Sequence, residues 1–295
     1  MLEESVRQIV TRILCMTIAL CACSSYIHAH QSDMTALPEE SALPQTVISP
    51  NSLTPASASK KEIPTVIPGI STKTTLPSTT PDVRIELVRF TTQDNIELAG
   101  TLFREGELAV ILAHMGMPGT DQHSWQPFAR LLAERGYTAL TFDFRGRGDS
   151  GGKLEQSLLP YDMQAAIQLL TDRGYRQIAC IGASMGGTTC MRAALEHDLA
   201  GLGVIAGVLD LGNPNQISIS EIQELKLPKL LVYGAHEMPM VMMDMESLIE
   251  LAPEPKLVQV YPTAEHGTAI FDTQYGDQLI ELLIRFLQAI RDGTA

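Results

Sequence analysis

Past residue 82 the chain alternates between two hydrophobic patterns. "RIELVRFTTQDNIELAGTLFR", residues 84–104, has apolar and polar positions in near alternation on either side of Asp94-Asn95, which predicts two strands joined by a turn. Six short and nearly continuous apolar runs come next: "LAVILAH", "YTALTFDF", "QIACIGA", "LGVIAGVLD", "KLLVYGA" and "KLVQVYP". Strands covered on both faces read this way, as in a parallel sheet. Between the runs lie segments of helical period, among them "SWQPFARLLAERG", "PYDMQAAIQLLTDRG", "MGGTTCMRAALEH", "MESLIELAP" and "GDQLIELLIRFLQAI". Alternating strands and helices predict an α/β fold: a doubly wound, mostly parallel sheet of about eight strands with helices on both faces. Ligands on such sheets bind outside the carboxyl ends of the strands.

The first 81 residues obey a different logic. Arg7 and Arg12 precede an apolar stretch, Ile13–Ala22, that is too short to span a bilayer and suits the core of an export signal. Leu20-Cys21-Ala22-Cys23 before Ser24-Ser25 is similar to a bacterial lipobox, with Cys23 the residue to be acylated and Cys21 an unusual middle residue. Residues 1–30 are therefore expected to be a signal or lipoprotein leader, the protein exported, and the mature chain either held to a membrane by an N-terminal lipid or secreted. Residues 31–81 are rich in Pro, Ser and Thr and are expected to be a disordered linker, because they cannot bury enough surface to offset the entropy of ordering. Residues 82–295 are the expected catalytic domain.

Charge and cysteine content narrow the choices. The net charge is −13, and residues 82–295 hold 16 Lys and Arg against 28 Asp and Glu. Such a surface repels phosphate backbones, so nucleic acid is not an expected partner. Three of the five cysteines belong to the leader, leaving Cys180 and Cys190. Two cysteines make no disulfide framework, and no Cys/His spacing suits zinc, so no metal site is expected. Cys180, on an apolar run, reads as a small buried hydrophobe without redox function.

The residues just beyond each predicted strand carry the chemistry. After "LAVILA" comes His114-Met115-Gly116-Met117-Pro118-Gly119, and after "YTALTFDF" comes Arg145-Gly146-Arg147-Gly148-Asp149-Ser150-Gly151-Gly152. "QIACIGA" runs into Ser184, "KLLVYG" into Ala235-His236-Glu237, and "KLVQVYP" into Thr263-Ala264-Glu265-His266-Gly267. The spacing Gly182-x-Ser184-x-Gly186 fits a sharp turn that exposes a nucleophilic serine. The same spacing also fits an ordinary serine where a strand becomes a helix, so the neighbours must decide.

In order and spacing, "AHMGMPGTDQHSWQPFARLLAERGYTALTFDFRGRGDSGG", "GASMGG" and "AEHGTAIF" resemble the α/β-hydrolase superfamily, in particular its small dienelactone-hydrolase-like and esterase-like bacterial members. The resemblance covers about residues 84–290. It implies a serine hydrolase with Ser184 as nucleophile and His266 as base. Glu237 falls where the family commonly has Asp; Asp210, ending "LGVIAGVLD", and Asp244 are the other candidates for the acid. The oxyanion donors implied are Met185 N–H and one N–H of the His114–Met117 loop, Gly116 first and Met115 next. His114 is expected to brace that loop, and Arg145–Gly152 to shape a strand exit rather than to bind an anion.

About 17 residues separate Asp210 from the next strand, too few for a large cap. The site is therefore expected to be open and lined by adaptable methionines: Met115, Met117, Met185, Met238, Met240, Met242 and Met243. The expected substrate is a small-molecule carboxylic ester with a small to medium acyl group, and no cofactor is expected. A serine peptidase or thioesterase of the same fold and a non-catalytic binding module are the alternatives. Oligomeric state is not legible in the sequence.

Overall fold

The computed structural model describes residues 83–104 and 106–295. The leader, Cys23 and the 31–81 linker lie outside the described residues.

Eight strands form one sheet: β1 (Arg84–Thr91), β2 (Glu97–Arg104), β3 (Leu108–Ala113), β4 (Thr138–Phe142), β5 (Gln177–Ala183), β6 (Gly201–Ile205), β7 (Lys229–Gly234) and β8 (Lys256–Tyr261). Their order across the sheet is β1-β2-β4-β3-β5-β6-β7-β8. β1 and β2 form a hairpin whose turn holds Asn95 at φ 63°, and β2 pairs antiparallel with β4. All other pairings are parallel. Among the described residues there are six α-helices, α1 (Gln126–Glu134), α2 (Leu159–Asp172), α3 (Met185–Glu196), the single turn α4 (Ile219–Ile222), α5 (Pro239–Leu251) and α6 (Gly276–Asp292), and three short 3₁₀ segments, Gln122–Trp125, Gln156–Leu158 and Gly267–Asp272.

The period of two within each strand divides the apolar residues between two cores. On β3, Ala109, Ile111 and Ala113 join one face, while Val110 and Leu112 join the other. The first face packs on α2, α3 and α5 through Met163, Leu170, Met191, Met245 and Leu248. The second packs on α1 and α6 through Phe128, Leu132, Leu283, Phe286 and Leu287. Each such side chain taken fully from water stabilises the fold by about 1.5–3 kcal/mol. Because both faces are covered, β3 and β4 are buried at every position, which explains their unbroken apolar runs. Trp125 is fully buried, donates its indole N–H to the Ala113 carbonyl at 3.0 Å, and packs edge-on against Phe271.

Three sequence expectations need correction. The run "LGVIAGVLD" is not one strand: β6 ends at Ile205, and Ala206 takes φ 51°, which turns the chain out of the sheet. Asp210 therefore sits on an exposed loop rather than at a strand end. α5 begins at Pro239, well before the predicted "MESLIELAP", because Pro239 is suited to the first helical position. Finally, Cys180 and Cys190 are joined in a disulfide. The elbow folds α3 back over β5, which brings the two Cα atoms to 5.6 Å although ten positions separate them in sequence. Cys180 is buried, as expected, and so is Cys190, but they are not free thiols.

Candidate active site

The turn from β5 into α3 builds the centre of the site. Ser184 sits at φ 49°, ψ −117°, a region that side chains other than glycine rarely occupy. Its neighbours permit this only because they lack side chains. A Cβ on Gly182 would lie 2.2 Å from the Gly186 carbonyl carbon, and one on Gly186 would lie 2.2 Å from the Ala113 carbonyl oxygen. The Ser184 N–H donates to the Ile205 carbonyl at 2.8 Å, which fixes the turn to β6. An ordinary strand-to-helix serine would need none of this strain.

Glu237 and His266 arrive from β7 and β8. His266 Nδ1 lies 3.0 Å from Glu237 Oε2, and the other carboxylate oxygen accepts the Met238 N–H at 3.0 Å. A carboxylate can only accept, so Nδ1 carries the proton shared with Glu237, and in the neutral imidazole Nε2 holds the lone pair. The Glu237 side chain is 1% exposed and that of His266 11%. The next residue, Gly267, takes φ 58°, and a Cβ there would lie 3.3 Å from Ala183 Cβ, so the imidazole loop rests against the residue before Ser184. Among the described residues, the Ser184 hydroxyl makes no hydrogen bond to His266. The rival acids are occupied elsewhere: Asp210 Oδ1 accepts the Gly212 N–H and Asp244 Oδ2 the Leu209 N–H. His236 is exposed.

The loop after β3 faces the start of α3. A Cβ on Gly116 would meet Met185 Sδ at 2.9 Å and Met185 Cβ at 3.3 Å, so the loop lies directly against the Met185 side chain. The Met115 carbonyl accepts from His114 Nδ1 and from Thr120 Oγ1, both at 2.7 Å, which turns the Gly116 N–H the other way. His114 Nε2 accepts the Phe144 N–H at 3.1 Å, and burial pushes its pKa down, so the ring stays neutral and braces the loop. Among the described residues, the N–H groups of Gly116, Met117 and Met185 have no protein acceptor. Free donors beside a strained serine form the pattern an oxyanion needs.

The turn after β4 divides its arginines. Arg145 is buried and forks onto Asp162 and Asp94 at 2.7–3.0 Å, as a strand-exit brace. Gln156 carries no sequence signal as a site residue; its Nε2 reaches within 3.6 Å of the position a Gly116 Cβ would take. Met117, Met238, Met240 and Met243 are exposed, whereas the Met115 and Met185 side chains are buried.

A family profile described as alpha/beta hydrolase fold matches residues 109–205. The uncharacterized protein YfhR of Escherichia coli K12 is 27% identical over 231 residues, 68% of this chain and 80% of its own length. Rv2307c of Mycobacterium tuberculosis is 26% identical over 218 residues, 66% and 76% of the two chains. Among solved structures, the Pyrococcus furiosus esterase Pf2001 superposes with a TM-score of 0.58 at 21% identity, covering 70% of this chain and 91% of that one. A thermophilic esterase from Thermogutta terrifontis gives 0.57 at 18%, covering 70% and 99%. The structural likenesses establish the fold. The profile match over residues 109–205 agrees with an α/β-hydrolase fold.

Proposed function

We propose that the protein is a serine hydrolase of carboxylic esters with small to medium acyl groups. The observation that carries this reading is the Glu237–His266 pair at 3.0 Å beside a serine held at φ 49°. In the proposed reaction His266 Nε2 takes the Ser184 proton as Oγ attacks the acyl carbonyl. The imidazolium is stabilised by Glu237, and the oxyanion is held by the Met185 and Gly116 N–H groups. His266 then hands its proton to the departing alkoxide, leaving an acyl-Ser184 that water, activated by the same imidazole, hydrolyses. The Ser184–His266 bond forms as substrate seats, as is common for hydrolytic sites. The short connection between β6 and β7 and the exposed methionine side chains support an open site tolerant of acyl shape. Glu237 is the preferred acid over Asp210, and Met115 is secondary to Gly116 as donor.

A panel of nitrophenyl esters, matched thioesters and aminoacyl amides tests the reading on the full chain. Esters are expected to turn over fastest. Preference for thioesters or amides would move the assignment to a thioesterase or peptidase, and turnover of none would leave a binding module. The N-terminal reading, with Cys23 lipidated, is tested by metabolic labelling with a palmitate analogue; a Cys23→Ala chain labelled as well as the parent would refute it.

A further inference from the structure

We infer that Arg147 is a positioning residue for the oxyanion loop, acting through the carbonyl of Gly116. The inference rests on the hydrolase reading above and assigns a role to the turn after β4 that the triad does not use. Arg147 Nη2 donates to the Gly116 carbonyl at 2.7 Å across 31 positions of sequence.

Three observations make this contact more than incidental. First, Arg147 forms no ion pair with a carboxylate among the described residues, although the chain carries a net charge of −13. Arg145, two residues earlier, is held by two carboxylates. Second, Arg147 Nε is buried without a hydrogen-bond partner, so among the described residues the Gly116 carbonyl is the one protein acceptor the guanidinium has. A half-buried cation resting on a neutral carbonyl needs a reason, since unpaired buried donors are rare in native folds. Third, the loop's neighbouring carbonyls are tied from within: Met115 by the His114 ring and the Thr120 hydroxyl, and Met117 by the Thr120 N–H at 3.1 Å. Of these three carbonyls, that of Gly116 alone is held from outside the loop.

Glycine has the widest backbone freedom of any residue, so the peptide plane after Gly116, which carries the Met117 N–H, needs a fastening of its own beside that of the plane before it, which carries the Gly116 N–H. His114 and Thr120 fix the plane before it, and Arg147 fixes the plane after it. The guanidinium also brings a positive charge close to where negative charge develops, and a preorganised charge acts without reorganisation during the reaction. Arg147 therefore acts on the transition state through the loop and does not touch the acyl group.

The test compares the full chain with Arg147→Met and Arg147→Lys on a short nitrophenyl ester, with an alkyl trifluoromethyl ketone as a tetrahedral-adduct probe. Arg147→Met is expected to lower kcat about 10- to 100-fold with KM within about twofold, below the loss from deleting a direct donor. Ketone affinity is expected to fall by the same factor as kcat/KM, and Arg147→Lys to recover part of kcat by keeping the charge. Parental kcat in Arg147→Met would overturn the inference, and so would a loss confined to KM, the mark of a substrate contact. Should the Met variant not fold, Arg147→Gln gives the same reading: parental kcat overturns the inference, and a fall of about tenfold upholds it. Failure of the underlying reading shows separately, as a Ser184→Ala chain that hydrolyses the ester like the parent.

Discussion

The two ends of the sheet are built on opposite principles. At the amino ends of the strands the polar groups are paired. Lys229, 1% exposed at the start of β7, donates to the Pro253 and Pro255 carbonyls at 2.7 and 3.1 Å. Lys256, at the start of β8, donates to Ile249 and Ala252, and Arg173 forks onto Glu86 at 2.6 and 2.7 Å. At the carboxyl ends, Ser184 and Ala206 take positive φ, three backbone N–H groups lack acceptors among the described residues, and Arg147 keeps a buried unpaired Nε. Strain and unmet donors persist only where the surrounding fold enforces them. The well-satisfied edge of the sheet thus serves stability, and the unsatisfied edge is held open for chemistry.

Outside the nucleophile and the base, the largest effect expected of a single change at the open edge is in the acid. Glu237→Gln leaves a neutral amide against His266 Nδ1, and kcat is expected to fall roughly 10³- to 10⁴-fold. Asp210→Asn is expected to keep parental kcat, since its carboxylate accepts only a loop N–H. The reverse pattern in ester hydrolysis would move the acid to the β6–β7 loop.

A smaller effect tests how the open edge is fastened. The Cys180–Cys190 bridge ties the helix behind the elbow to the strand before it. Closing a loop of this length stabilises by about 3 kcal/mol in the chain-entropy description. Cys180→Ala with Cys190→Ala is expected to lower the urea-unfolding free energy by about that much. Unchanged unfolding would mean that core packing alone holds the elbow.

The smallest effect belongs to the paired edge. Burial lowers the Lys229 pKa to about 8 from its ordinary 10.5. Between those values the unfolded chain holds a proton that the folded chain has released, so folding stability rises with pH; below pH 8 both states are protonated and the slope vanishes. Over roughly one and a half pH units above the folded value the gain is about 2 kcal/mol at most. Lys229→Met is expected to lack that rise in urea titrations, and an equal rise in both proteins would contradict it.

How far the sequence can be read depends on how local each feature is. Strands β3 to β7 are legible because two-sided burial leaves runs without polar breaks, and the residues after them are placed by strand ends alone. β6 reads too long because the turn at Ala206 lies inside an apolar run that continues past it. The disulfide is not legible because its closure depends on α3 folding back over β5, a tertiary event that the separation of 180 and 190 does not encode. Gln156 and Arg147 are hidden for a similar reason. Both reach Gly116 from a distant segment, Arg147 across 31 positions, and the glycine-rich run that holds Arg147 does not encode which carbonyl its side chain meets.

The central claim is that Ser184 is activated as a nucleophile, and a fluorophosphonate probe tests it most directly. Incubating the folded full chain with the probe and measuring intact mass, then mapping the adduct by peptide digestion, is expected to give one phosphonyl group on Ser184, none in Ser184→Ala, and much slower labelling in His266→Ala. A folded parent that takes no label, or one labelled at a different residue, would contradict the claim.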